Sequence, residues 1–427
     1  MNRTAAIASL LLGGFASTIA LTSTMPGNFA ILSGNSAYAV VHSPTVGAAL
    51  GSITALVTVV LVRRSSALAW TATLGLILLA VAALPGPWHW GLYPQSVGAG
   101  LLLGALTGLC STHARPVLQT ALATGAIGGL LLAAPIERYR STPSRRYADY
   151  LPVSAEPADT VMLSLLAMIA VALLIALRRG AFGVPDLTTD DGLVRVLAVG
   201  VAVPVVGVLL HWSFVRALVG MSSTSVTTQG HWVFGLVLVP VFVVGSLWLP
   251  RRHGMVLLAA LAVISTGYGV SGLSTDSWPS LLIPAVLIVL GAVCGRRWPY
   301  PLAGVAALAV VVVSAVFDEQ PWDMLHVGAT ELVLPWAAGF TVAACLPSSA
   351  PSTAISLAAP AAVTVPVIAQ FGWTAYTPLT TSHRPSSGAW LSASTGVTVA
   401  AVAVSGVAMW WLQRRPTEQS PSAEEPE

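Results

Sequence analysis

Apolar runs long enough to cross a bilayer follow one another along nearly the whole chain. A helix needs about 20 predominantly apolar residues to cross hydrocarbon about 30 Å thick. Such runs fall at about 5–22, 46–62, 67–84, 96–113, 117–135, 159–177, 193–211, 232–249, 255–272, 279–295, 300–317, 329–346, 352–371 and 391–412. Backbone polar groups in lipid must be satisfied within the segment, so runs of this length predict helices. The chain has 427 residues, of which 8% are charged, against about a quarter in soluble domains. Its mean hydropathy is +0.81. The predicted fold class is therefore all-α: a polytopic transmembrane helix bundle of about 14 spans.

Orientation follows from arginine. All 19 basic residues are Arg, a bias that fits a GC-rich bacterial genome. Five Arg pairs stand directly after a run: Arg63–Arg64, Arg178–Arg179, Arg251–Arg252, Arg296–Arg297 and Arg414–Arg415. They follow the second, sixth, eighth, tenth and fourteenth runs, so all five share one parity and one side. The positive-inside rule makes that side cytoplasmic and puts both termini inside, which Arg3 and Arg115 also favour. The expected location is the cytoplasmic (inner) membrane, with multiple passes.

The division expected is an N-terminal six-helix half at 1–180, an inserted helix pair at 181–250, a C-terminal six-helix half at 251–415 and a disordered cytoplasmic tail at 416–427. The tail is short, acidic and rich in Pro, Ser and Glu. Met1 to Ala20 has the basic start and apolar run of a signal sequence, but with so many spans following it reads as the first transmembrane helix. No phosphate-binding G-x-x-x-x-G-K-[ST] loop is present, so the chain does not hydrolyse ATP through such a loop. Cys110, Cys294 and Cys345 have neither disulfide nor metal-ligand spacing and read as packing residues.

The longest polar connection, 136–158, departs from the charge rule. It places Arg138, Arg140, Arg145 and Arg146 outside, interleaved with Tyr139, Tyr147 and Tyr150. Glu137, Asp149 and Glu156 offset part of that charge, as in an ordinary surface loop. The alternative is a docking patch for anionic head groups or an envelope protein. Outward-placed Trp residues, such as Trp88, Trp90, Trp212, Trp232, Trp322, Trp373 and Trp390, suit the membrane interface.

Several stretches together resemble the major facilitator superfamily, in particular its fourteen-helix drug-efflux branch. Ser17-Thr18-Ile19 with Met25-Pro26 is similar to the first-helix motif of that branch. Gln95 with Gly98-Ala99-Gly100 is similar to the fourth-helix motif. Gly125-Ala126-Ile127-Gly128-Gly129 is similar to the Gly-Pro-x-x-Gly-Gly antiporter motif, with Ala126 in the place of Pro. Gly295-Arg296-Arg297-Trp298-Pro299 looks like the short basic turn between facilitator helices. The resemblance implies two helical halves, alternating access, and glycines that allow helices of opposite halves to slide. The family's charged members are replaced: Ala16 stands where an Asp precedes the Ser/Thr, and Pro94 precedes Gln95 where the motif has Arg. Only Arg63-Arg64-Ser65-Ser66 remains of the basic loop after the second helix.

Ionisable groups inside a membrane usually mark ion pathways, and the spans have almost none. The candidate coupling groups sit at helix mouths: Asp318, Glu319, Asp323, His326, Glu331 and Asp159. Acids beside a His can tune a proton site, although solvated outer loops carry the same residues. His42, His89, His211, His231, His326 and His383 map outside or near the outer face, without metal-ligand spacing. They read as interfacial residues, so no metal and no cofactor is expected. The first outer loop, Thr22 to Pro44, has no carboxylate, which argues against a membrane glycosyltransferase and for a chain that is not an enzyme. The function expected is transport of small neutral, amphipathic or lipid-like molecules. The alternative is a non-transporting scaffold or assembly factor for envelope machinery, docking through 136–158. Expected partners are membrane lipids and a small-molecule substrate, or the envelope protein of that second reading, and not nucleic acid.

Overall fold

The computed structural model describes residues 2–22, 40–41, 43–84, 92–111, 116–140, 159–182, 192–222, 234–250, 252–269, 278–317, 321–372 and 388–415. These form fourteen helical passages. The first six are α1 (Asn2–Thr22), α2 (Pro44–Leu61), α3 (Ser65–Ala82), α4 (Leu92–Cys110), α5 (Pro116–Arg140) and α6 (Thr160–Arg178). Then come α7 (Leu193–Ser222) and α8 (Leu238–Trp248). The last six are α9 (Gly254–Gly269), α10 (Leu282–Arg297), α11 (Pro301–Ser314), α12 (Asp323–Ala344), α13 (Ala350–Gly372) and α14 (Gly388–Gln413).

Among the described residues, nine of these helices are long and apolar enough to cross a membrane, and α8, α9 and α11 belong to shorter apolar stretches. The remaining two, α4 and α13, carry more Gly, Ala, Ser, Thr and Pro. Both are enclosed by other helices over almost all their described length, so neither needs a strongly apolar surface against lipid. The outer helices do: Val171 is 59% exposed, Val286 55% and Val310 61%. Such contiguous apolar faces suit a lipid solvent, and the chain is a multi-pass membrane protein.

Local chemistry sets the helix ends. Ser43 stays extended (φ −81°, ψ 149°), its hydroxyl accepts from the Val46 amide at 3.4 Å, and Pro44 opens the first turn of α2. Inside the spans, hydroxyls return to carbonyls one turn back, as Thr18 does to Gly14 (2.9 Å), Ser52 to Ala48 (2.8 Å) and Thr107 to Leu103 (2.7 Å). That local bond satisfies a hydroxyl buried between apolar helices.

Packing repeats with an offset of eight helices. In the first six helices α1 packs on α4, α5 and α6, and α4 packs on α2 and α3, while α3 touches α6. In the last six α9 packs on α12, α13 and α14, and α12 packs on α10 and α11, while α11 touches α14. The contacts between the two sets are reciprocal: α2 meets α13 as α10 meets α5, and α4 meets α13 as α12 meets α5. Helix α7 lies over the α2–α13 seam, where an added Cβ on Gly200 would meet Leu56 and Ile355 at 2.5 and 2.7 Å. Helix α8 packs on α7, α9 and α14.

Members of two of the Arg pairs, Arg252 and Arg415, meet at one end of the bundle. Arg415 donates through Nη2 to the Leu247 carbonyl (2.7 Å) and through Nη1 to the Leu249 carbonyl (3.4 Å). Arg252 donates to the Gln413 carbonyl at 2.9 Å. Cations on orphan C-terminal carbonyls complement the helix dipole. Arg414 and Arg415 also lie over the rings of Trp410 and Trp411, 3.8 and 4.4 Å from their centroids.

Candidate functional site

The predicted coupling residues are dispersed. Asp318 and Glu319 lie outside the described residues. Asp323 opens α12 and is half-buried. One turn on, His326 is buried, with Nδ1 3.0 Å from Ser314 Oγ on α11. The Ser314 hydroxyl already donates to the Val311 carbonyl at 2.6 Å, so His326 Nδ1–H is the donor of that pair. The chain then widens into a single π-helical turn, Ala329–Val333, which holds the half-buried Glu331. Single π turns inside α-helices recur at functional sites because they re-aim a side chain. Asp323, His326 and Glu331 thus share the first nine residues of one helix.

Asp159 stands elsewhere, as the N-cap of α6. Its carboxylate accepts from the Met162 amide at 3.0 Å, and its own amide donates to the Ala83 carbonyl at 3.0 Å, tying α6 to the end of α3. Replacing Asp159 with Ala is expected to lower stability by about 1 kcal/mol, the usual worth of a cap, measured as a lower Tm in detergent. An unchanged Tm would show the cap to be idle.

The glycine motif sits where α5 crosses α1. An added Cβ on Gly125 would run into the Leu11 carbonyl, and one on Gly129 would come within 2.6 Å of the Phe15 carbonyl. Both face a helix of the same six-helix set. Gly128, between them, has ordinary clearance, with the Phe15 side chain of α1 at 3.6 Å and Ile288 of α10 at 4.0 Å. Gly98 meets Gly75 of α3, and Gly100 meets Gly51 of α2. The α10–α12 crossing repeats the device: Gly291, Gly295 and Gly339 lie against the backbone of Trp336, Phe340 and Ile288.

Two hydroxyls occupy equivalent places in the repeat. Ser17-Thr18 lies near the end of α1 and Ser265-Thr266 near the end of α9. Both threonines bond one turn back, to Gly14 (2.9 Å) and Ala262 (2.8 Å). Both serines are fully buried, and neither hydroxyl has a partner. Nearby, Gln95 of α4 donates to the Ala20 carbonyl of α1 at 2.9 Å.

The sequence reading did not single out a polar clasp at the Arg-bearing end. Gln119 of α5 donates to the Ser348 carbonyl (3.0 Å), and its own carbonyl accepts from the Ser348 amide (3.2 Å). Ser348 and Ser349 lie in the turn between α12 and α13. His253, just before α9, places Nδ1 3.2 Å from the Ser349 amide and 3.3 Å from Ser348 Oγ. Ser349 Oγ donates to Ser352 Oγ at 2.9 Å. A buried Gln early in an apolar helix was the available signal, and its partner is 229 residues away.

Arg138 and Arg140 fall in the last turn of α5, while Arg145 and Arg146 lie outside the described residues. So do His42, His89, His231 and His383. His211, on α7, is buried. No group of three metal-ligating side chains occurs among the described residues. The three cysteines are free.

No protein-family model matches the chain, and no curated protein matches it. Among solved structures it is similar to the major facilitator superfamily proton:xylose symporter XylE bound to 6-bromo-6-deoxy-D-glucose, at 15% identity and a TM-score of 0.46, covering 96% of this chain and 94% of that one. It is also similar to a POT family transporter in complex with 5-aminolevulinic acid, at 12% identity and a TM-score of 0.40, covering 96% and 95%. Both TM-scores lie below 0.5, and the functional reading rests on this chain's own contacts.

Proposed function

We propose that this chain is an alternating-access transporter of the facilitator type in the cytoplasmic membrane. Its halves would be residues 1–180 and 251–415, with 181–250 as an inserted pair and both termini on the cytoplasmic side. The observation that carries the reading is the reciprocal packing of α2 on α13 and α5 on α10. Two similar six-helix bodies that meet through equivalent helices can rock about a shared seam, exposing a central site to either side in turn. The glycine crossings lie mostly within each body and stiffen it.

The cargo we infer is small and neutral, amphipathic or lipid-like. Among the described residues the buried polar side chains are Ser, Thr, Gln119, His211 and His326, with no buried Asp, Glu or Arg. The unpartnered hydroxyls of Ser17 and Ser265 are suited to bonding a neutral hydroxyl or carbonyl. Asp323, His326 and Glu331 on α12 are the proposed site of proton coupling.

The test is reconstitution in proteoliposomes with an imposed pH gradient, using labelled neutral sugars and amphipathic cationic dyes as probes. At least one probe should accumulate beyond protein-free vesicles. Replacing Asp323 with Asn together with Glu331 with Gln should cut gradient-driven accumulation by about tenfold while leaving exchange without a gradient. Accumulation that keeps its pH dependence in that variant removes the coupling role. Probe movement no faster than in protein-free vesicles removes the transport reading.

A further inference from the structure

We propose that Thr45 and His211 bind the hydroxyl of a neutral alcohol where α2, α7 and α13 meet, at the end of their seam away from the Arg pairs. The site deepens the neutral-cargo reading above and rests on it. Both side chains are buried, at 2% and 5% exposed. Neither the Thr45 hydroxyl nor His211 Nδ1 has a hydrogen-bond partner. Buried polar groups are nearly always paired, so two left unpaired on packed helices point to a bound group. Local structure explains the first. Deeper in α2 a hydroxyl bonds to the carbonyl one turn back, as Ser52 does to Ala48 at 2.8 Å. Thr45 stands in the first turn of α2, so its carbonyl four residues back, on Val41, lies before the helix and accepts from Tyr93 Oη at 2.7 Å.

Helical register brings the two groups together. An added Cβ on Gly200 of α7 would meet Leu56 of α2, so these two residues mark the facing sides of their helices. Thr45 stands eleven residues before Leu56, and His211 eleven after Gly200. Eleven residues make almost three whole turns and a rise of about 16 Å, which returns each side chain to the same side of its helix. As the second and seventh passages, α2 and α7 run in opposite directions, so both steps lead to one level. Helix α13 supplies the third wall. An added Cβ on Gly207 would come within 2.6 Å of the Ala362 carbonyl, and His211 is one turn further along α7.

The walls select the ligand. The buried side chains along this stretch are apolar: Ala48 on α2, Phe214 on α7, and Val363 and Val367 on α13. An ion would give up its hydration for two neutral partners, a poor exchange. A water molecule would find few of the bonds it can make. The hydroxyl of an alcohol donates to Nδ1 and accepts from the Thr45 hydroxyl, and its carbon chain suits the apolar walls. Leu209 and Trp212, on the same turns of α7, are 50% and 42% exposed, so the site lies one helix away from lipid. An alcohol dissolved in the bilayer reaches it from that side.

The experiment is photolabelling of the protein in phosphatidylcholine nanodiscs with an octanol that carries a photoreactive diazirine, followed by peptide mapping. Label should concentrate on residues 44–48 of α2 and 207–214 of α7, and 1-octanol should displace it while octane does not. Thr45→Val and His211→Leu keep the bulk and remove the polar atoms. Each should cut labelling about fivefold, the usual worth of one hydrogen bond, without lowering Tm. Ser213→Ala, on the same helix, should label like the parent, because the exposed Ser213 hydroxyl already donates to the Leu209 carbonyl at 2.9 Å. Label spread evenly over lipid-facing helices would overturn the site, as would displacement by octane as effective as by octanol, or parental labelling in both variants. Should Thr45→Val not fold, His211→Leu decides by itself. Labelling here in a protein that moves no solute sinks the transport reading and leaves the site, whereas transport without this labelling does the reverse.

Discussion

Replacing Gly125 with Leu is expected to prevent assembly of the first six helices. The obstruction is backbone: an added Cβ would overlap the Leu11 carbonyl of α1, which cannot rotate away as a side chain can. Overpacking a core costs about 1–3 kcal/mol where side chains yield, and here the two helix axes must separate. Gly129 and Gly14 share the crossing, with the Phe15 and Leu122 carbonyls 2.6 and 2.5 Å from their added Cβ positions, so displacement at one point spreads along the contact. Gly128→Ala is the control on the same helix turn. Its nearest neighbour would be an ordinary 3.6 Å away, and Ala is the better helix former. Size-exclusion chromatography of the two variants in detergent checks this: the Gly125→Leu chain should be lost as aggregate, and the Gly128→Ala chain should elute and melt like the parent. A monodisperse Gly125→Leu protein with the parental Tm would refute the α1–α5 crossing.

An apolar-to-Arg substitution should have opposite results on two consecutive helices of the second half. Leu258→Arg is expected to abolish folding, because α9 is enclosed on every side: Met255 through Ile264 are each at most 7% exposed. No described carboxylate stands at that level to pair with a guanidinium, and an unpaired buried charge costs several kcal/mol. Val293→Arg, on the outer face of α10, is expected to insert and fold. Val293 is 60% exposed and lies one turn before Arg296 and Arg297, so the longer side chain can extend along the helix to the interface. Expression and thermal stability of the two variants measure the contrast. Equal tolerance would mean that α9 is not the enclosed helix of its half.

Much of the architecture was legible in the chain because a bilayer imposes a length and a polarity on every span. All fourteen predicted runs coincide with helical passages to within a few residues at most ends. The clearest excess is at the end of α5, which continues to Arg140 past Pro135, and at α7, which continues past His211 to Ser222. Polar residues made both look finished, yet hydrogen bonding along the backbone carries a helix beyond its apolar part. The polar opening of α12 has the composition of a loop. Asp323 to Gly328 is helical and leads directly into the π turn.

The candidate site was less legible. Gly125, Gly128 and Gly129 were visible as a group, but spacing alone does not say which helix each one meets. Two of them lie against the α1 backbone, and the third has room beside Phe15 of α1 and Ile288 of α10. Asp159 is in sequence an acid at a helix mouth, and its geometry is that of a cap. Gln119, His253 and Ser348 were not singled out, because a clasp between residues so far apart leaves no local pattern.

What the sequence by itself determined is the solvent and the elements: a chain with so little charge and so many long apolar runs must form helices in lipid. Hydropathy reports transfer from water, and it is nearly blind to whether an apolar residue then faces lipid or another helix. The tertiary structure decided that second question. It enclosed α4, α9 and α13, exposed the faces of α6 and α10, matched the main contacts of the first half with ones in the second, and brought a glutamine, a histidine and a serine turn together at one end. Those outcomes depend on carbonyl-to-Cβ clearances and on single hydrogen bonds between distant residues, which no local property of the chain encodes.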